Sequence, residues 1–142
     1  MTGKDTGTLQ EELRYAEDVI QFTEENAKEL HPRSVPEYLN HLLIVHDVAK
    51  VDVVRRAGFE GNTYVYQIFN GRKTAGRDKL LQLAFGFPLT VEETQRLLRC
   101  GGYSELYVRD KRDVVCMHGL QKKMTLEECN AYLYRMGEAP LC

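Results

Sequence analysis

Four capping boxes punctuate this chain: Thr8-x-x-Glu11, Ser34-x-x-Glu37, Thr90-x-x-Glu93 and Thr125-x-x-Glu128. In such a box the hydroxyl accepts the amide proton three residues on, and the glutamate reaches back to the cap's own amide. Each box therefore predicts a helix start. No convincing run of alternating apolar and polar residues separates them, so the chain is predicted to be all-α. Pro36 falls in the first turn after Ser34, where a missing N–H costs nothing.

The first helix is predicted over residues 9–30. Leu9, Leu13, Ala16, Ile20, Thr23, Ala27 and Leu30 recur at spacings of four and three, flanked by acids. This thin seam suits either intramolecular packing or a dimerising helix. His31-Pro32 ends it, because a residue before proline is pushed out of the helical region. A second helix is expected over 35–47, with Leu39, Leu42, Leu43 and either Val45 or His46 facing inward. Further helices are expected over 50–57, 62–69, 77–87, 90–100, 110–121 and 126–136, the one ending at Cys100 being stopped by Gly101-Gly102. These elements divide into an acidic N-terminal helix (1–34), a central helical domain (35–102) and a C-terminal helical extension (103–142).

Hydrophobic residues make up 43% and charged residues 28%, ordinary for a folded globule. No apolar run approaches the ~18–20 residues needed to span a bilayer. The polar N-terminus carries no signal peptide, so a cytoplasmic protein is expected. Cys100, Cys116, Cys129 and Cys142 form no Cys-x-x-Cys pair and read as reduced thiols. His41 and His46 stand five apart, a poor metal spacing on a helix, so neither a metal nor a cofactor is expected. Charge is uneven. Residues 1–34 hold four bases against eight acids, whereas residues 50–79 hold seven bases against three acids. A basic face within an acidic protein can still attract phosphate, because the field a duplex feels is local.

Residues 49–71 read as a short helix, a turn marked by Gly58 and Gly61, and a second short helix closed by Asn70-Gly71. This is how a helix is fitted into a DNA major groove. On the second helix Val65, Ile68 and Phe69 belong inside, which turns Asn62, Thr63, Tyr66 and Gln67 outward as base contacts. Asn and Gln can pair bidentately with adenine, and a Thr methyl can meet the methyl of thymine. Lys50, Arg72, Lys73 and Arg77 flank the unit and are the expected phosphate contacts, which set register without reading sequence.

The stretch from Tyr64-Val-Tyr-Gln-Ile-Phe-Asn-Gly-Arg-Lys73 through Arg77-Asp-Lys-Leu-Leu-Gln-Leu-Ala-Phe85 resembles the phage-repressor-like helix-turn-helix regulators of the xenobiotic-response-element family. Glu92-Glu-Thr-Gln-Arg-Leu-Leu-Arg-Cys-Gly101 and Tyr107-Val-Arg-Asp-Lys-Arg-Asp113 are similar to small members from Firmicutes. The resemblance implies a lambda-repressor-like five-helix domain, with Asn62, Thr63 and Gln67 at positions that commonly meet bases. Two features depart from the family pattern. Val54 stands where members usually carry a small residue, and the segment from Gly58 to Gly71 is one residue longer than usual.

The leading expectation is a sequence-specific DNA-binding regulator whose partner is double-stranded DNA, read by a homodimer. Its interface would come from the acidic first helix or from the C-terminal pair (Val114, Val115, Leu120, Leu126, Leu133). The alternative is a protein-interaction module that keeps the fold without DNA, with Phe59, Tyr64, Tyr66 and Phe69 forming an aromatic patch for a protein partner. An enzyme is not expected: no phosphate-cradling loop, activated nucleophile or metal spacing is present.

Overall fold

The computed structural model describes residues 3–26, 34–59, 61 and 63–142. Among these every regular element is a helix, with no strand. No helix among the described residues is long and apolar enough to cross a membrane. The chain divides into two compact units, Met1–Pro32 and Arg33–Cys142.

The first unit holds α1 (Thr6–Tyr15) and α2 (Val19–Glu25), where the sequence predicts one helix over 9–30. Two aspartates account for the difference. The Asp5 carboxylate accepts the Thr8 amide at 2.6 Å, so α1 is capped by Asp5 and starts ahead of the predicted Thr8 box. Hydrogen bonding from the Thr8 amide and then its hydroxyl holds the Asp5 carboxyl below its usual range. Asp18 accepts the Ile20 amide at 2.9 Å and opens α2, while Ala16 turns extended to end α1. A short acidic side chain that bonds the local backbone competes with continuation of the helix. Lys4 ties the pieces together, donating to Glu12 at 2.8 Å and to Asn26 at 2.6 Å. Leu13 and Ile20 of the expected stripe stay 50% and 64% exposed, and Phe22 is the buried apolar side chain of α2. The stripe's Ala27 and Leu30 and the His31-Pro32 stop lie outside the described residues.

The second unit carries its own hydrophobic core, drawn from residues 35–141. It comprises α3 (Val35–Val45), α4 (Lys50–Arg56), α5 (Thr63–Phe69), α6 (Arg77–Gly86), α7 (Val91–Cys100), α8 (Lys111–Gln121) and α9 (Leu126–Arg135). Seven consecutive residues of α6, Leu80 to Gly86, are buried. A helix covered on every side is a central strut, and α4, α7 and α9 all pack on it. α3 lies against α5 and α7, burying Tyr38, Leu39 and Leu42. Of the two residues left open for its inner face, His46 turns in and Val45 is 56% exposed. The His46 Nε2 lies 2.8 Å from Glu93 Oε2. Burial pushes the Tyr38 phenol up to about 12, so it is neutral at any physiological pH. Both later capping boxes are complete, at Thr90/Glu93 for α7 and at Thr125/Glu128 for α9.

Two features set the spacing within this unit. Gly86 is where α4 touches α6: a Cβ there would lie 2.5 Å from the Val53 carbonyl oxygen and 3.0 Å from the Ala57 Cβ. Beside it the buried Gln82 amide donates to the Ala57 carbonyl at 3.1 Å, satisfying the end of α4. The second feature is a crossed pair of ion pairs joining α6 to α8. Arg77 forks onto both Asp113 oxygens at 3.1 Å, and Arg112 forks onto Asp78 at 2.9 and 3.0 Å. Arg77 also donates to the carbonyls of Ser104 and Glu105, and Arg112 to those of Ala139 and Pro140. Asp113 further accepts the Tyr107 amide at 3.0 Å. The C-terminal pair is thereby part of the same body, with Val115, Cys116, Leu120, Cys129 and Leu133 in the shared core.

Gly86→Ala should destabilise the protein by about 1–3 kcal/mol despite alanine's better helix propensity, because the clash is with backbone. Thermal unfolding followed by circular dichroism decides the sign; a raised midpoint would contradict the packing. Asp113→Ala should cost about 3 kcal/mol, since the covered Asp113 carboxylate, 10% exposed, holds the Tyr107 amide as well as Arg77 and its loss leaves both without that partner. Asp78→Ala should cost no more than about 1 kcal/mol, because that carboxylate is 48% exposed. Urea titrations giving the reverse order would contradict the account.

Candidate nucleic-acid interface

α4 ends where Gly58 adopts φ +83°, and two backbone bonds close the turn: Phe59 N–H to Val54 O at 2.9 Å and Gly58 N–H to Arg55 O at 3.0 Å. This double bond with a left-handed glycine is a Schellman stop. It throws the chain away from α4 and buries Phe59. After the turn α5 lays Val65, Ile68 and Phe69 into the core, each no more than 1% exposed. The Asn40 amide of α3 holds the far end of α5, donating to the Phe69 carbonyl at 2.9 Å.

With that face fixed, the opposite side of α5 is set by helical geometry. Thr63 is exposed, Tyr66 is 37% exposed and Gln67 is half-buried. Asn62, the remaining expected base contact, lies outside the described residues. Thr63, Tyr66 and Gln67 thus share one short helix that stands on α3.

A second Schellman stop closes α5. Gly71 has φ +84°, the Gly71 amide donates to Ile68 O and the Arg72 amide to Gln67 O at 2.9 Å. Lys73 N–H reaches the same Gln67 carbonyl at 3.2 Å, and the Asn70 side chain accepts from the Arg72 amide at 3.0 Å. The backbone that begins the cationic loop is therefore anchored on Gln67. Arg72 and Lys73 are exposed, and neither forms an ion pair among the described residues. The loop's far end is pinned by two tyrosine hydroxyls: Tyr64 donates to the Thr74 carbonyl and Tyr103 to the Ala75 carbonyl.

Lys50 joins this region from α4, its Nζ 5.2 Å from the centre of the Phe69 ring. Arg77 does not. Its guanidinium, expected on phosphate, is committed inward to Asp113, Ser104 and Glu105 as described above. Two side chains without a local sequence signal contribute instead. Lys79 Nζ lies 5.8 Å from the Phe59 ring and 5.6 Å from the Tyr64 ring, tying α6 to the turn and to α5. Arg56 is an exposed cation at the end of α4. Among the described residues of 50–79, Asp52 pairs with Arg55 at 3.1 Å and Asp78 with Arg112 at 2.9 Å.

The second unit's aromatic residues near the turn are mostly enclosed. Of the four residues expected in an aromatic patch, Phe59 and Phe69 are 6% and 1% exposed, Tyr64 is half-buried and Tyr66 is exposed. Of the apolar residues expected at a C-terminal interface, Val115, Leu120, Leu126 and Leu133 are core residues and Val114 is 39% exposed. Comparison with family models, with curated proteins and with solved structures finds no match for this chain.

Proposed function

We propose that the chain is a sequence-specific DNA-binding regulator in which α3 to α7 act as a repressor-like five-helix domain and α5 enters the major groove. The observation that carries this reading is the arrangement of α5. A seven-residue helix buries Val65, Ile68 and Phe69, presents Thr63 and Tyr66 with Gln67 beside them, and runs directly into an exposed Arg72-Lys73 pair. Polar groups able to read base edges sit next to cations able to hold phosphate, as groove recognition requires. Asn62, Thr63, Tyr66 and Gln67 are assigned to bases, and Lys50, Arg72 and Lys73 to phosphates. Arg77 serves as the anchor that fixes the loop's end against α8. The protein-interaction alternative draws less support, because Phe59 and Phe69 are in the core and the Tyr64 hydroxyl is engaged.

Recognition by so small a helix is ordinarily doubled by a two-fold partner, whose half-sites lie ~34 Å apart on the duplex. A homodimer is therefore part of the proposal. Val114 of α8, Tyr132 of α9 and Met136 just after α9 are exposed apolar residues around one cavity, and they are its proposed contact.

Selection of bound sequences from a random duplex pool tests the reading, and a palindromic winner is expected. On that duplex Gln67→Ala should relax preference at one base pair by about 1–3 kcal/mol, whereas Arg72→Gln and Lys73→Gln should each weaken all sequences alike and lower the salt slope by about 1. No enrichment even at low salt, where phosphate attraction is strongest, would overturn the proposal and favour a protein partner.

A further inference from the structure

Behind the cationic loop lies a cavity of about 450 Å³. Three separate segments wall it: the start of α3 with Val35 and Pro36, the loop from Gly71 to Ala75, and the end of α7 with Cys100 and Tyr103. Its volume falls in the range of ~300–1,000 Å³ typical of small-molecule sites. One wall is tied to the loop, the Tyr103 hydroxyl donating to the Ala75 carbonyl at 2.7 Å.

The chemistry of the walls narrows what could enter. Among the described residues Lys73 is the charged side chain that lines the cavity, and no carboxylate does. The loop carbonyls of Thr74 and Ala75 each accept one hydrogen bond, from the Tyr64 and Tyr103 hydroxyls. Ser34 accepts the Glu37 amide, which leaves its own hydroxyl proton to donate. Val35, Pro36 and the Tyr103 ring supply an apolar wall. Burial pushes the Cys100 thiol up, so at neutral pH it is a protonated, unreactive part of the lining.

We propose that this cavity is a reversible binding site for a small organic acid with an apolar body, its carboxylate on Lys73 and its body against Val35, Pro36 and Tyr103. The site has a consequence that rests on the DNA-binding reading. Lys73 is both a wall of the cavity and an expected phosphate contact, so a bound acid withdraws one cation from the duplex and lowers DNA affinity. The acid thereby acts as an effector through the loop itself, without any change of fold.

The test needs no DNA. In full-length protein carrying Cys142→Ser, Cys116 and Cys129 are buried, which leaves Cys100 as the reporting thiol. Its alkylation by iodoacetamide at pH 9 is timed by mass spectrometry with 3-phenylpropionate or with the neutral 3-phenylpropanamide. With the acid at roughly ten times its dissociation constant the rate should fall about tenfold. The amide should give no protection, Lys73→Gln should abolish the effect of the acid, and Lys73→Arg should keep it. No protection by the acid, equal protection by acid and amide, or full protection in Lys73→Gln would each overturn the site. Separately, the acid should weaken binding to the selected duplex by the factor that Lys73→Gln does and add nothing in that variant. Protection of Cys100 without any effect on DNA would leave the site standing and remove its coupling to the duplex.

Discussion

The second unit depends on the enclosure of α6. Leu80 through Gly86 present no solvent face, so the helix holds only while neighbours cover it on all sides. A buried apolar side chain contributes roughly 1.5–3 kcal/mol, and losing any one neighbour would uncover several at once. Gly86 and Gln82 then fix how α4 meets this strut: one by having no side chain in the way, the other by capping α4 from the side. The distance and direction from which the chain leaves toward α5 follow from that contact.

The charge arrangement follows the same logic of division. Two arginines, Arg77 and Arg112, are withdrawn from solvent to join α6 to the C-terminal pair through Asp113 and Asp78. Arg56 at the end of α4 and Arg72 and Lys73 after α5 stay exposed, and Lys50 is half-buried at the start of α4. Arginine suits the first task because its planar fork binds a carboxylate bidentately. The loop between Gly71 and Gly76 lies between these two sets, pinned at one end by Gln67 and at the other by tyrosine hydroxyls. In the proposed function that pinning is what would hold Arg72 and Lys73 in register with α5.

Much of the second unit was legible in the sequence, because its signals are local. The Thr90 and Thr125 boxes cap α7 and α9 where expected, and the α4 and α5 ends fall within a residue of expectation since Gly58 and Gly71 supply left-handed stops. The inward set Val65, Ile68 and Phe69 followed from helical period alone. What failed was either competitive or long-range. Asp5 and Asp18 outcompete the Thr8 box and divide the first helix, a contest between neighbouring caps that a periodic apolar pattern conceals. The inward turn of Arg77 is decided by Asp113, thirty-six residues away, and nothing near Arg77 announces it. The same holds for Lys79 against Phe59 and Tyr64, and for the burial of Leu120, Leu126 and Leu133 in a core shared with α6.

The central claim is that the α5 face and the loop after it meet DNA. Amide chemical-shift mapping of the full chain during titration with a selected duplex at low salt addresses it most directly. The account predicts that the largest shifts fall on Thr63, Tyr66, Gln67, Arg72 and Lys73, with Lys50 following. Shifts absent at every duplex concentration, or confined to α8 and α9, would contradict it.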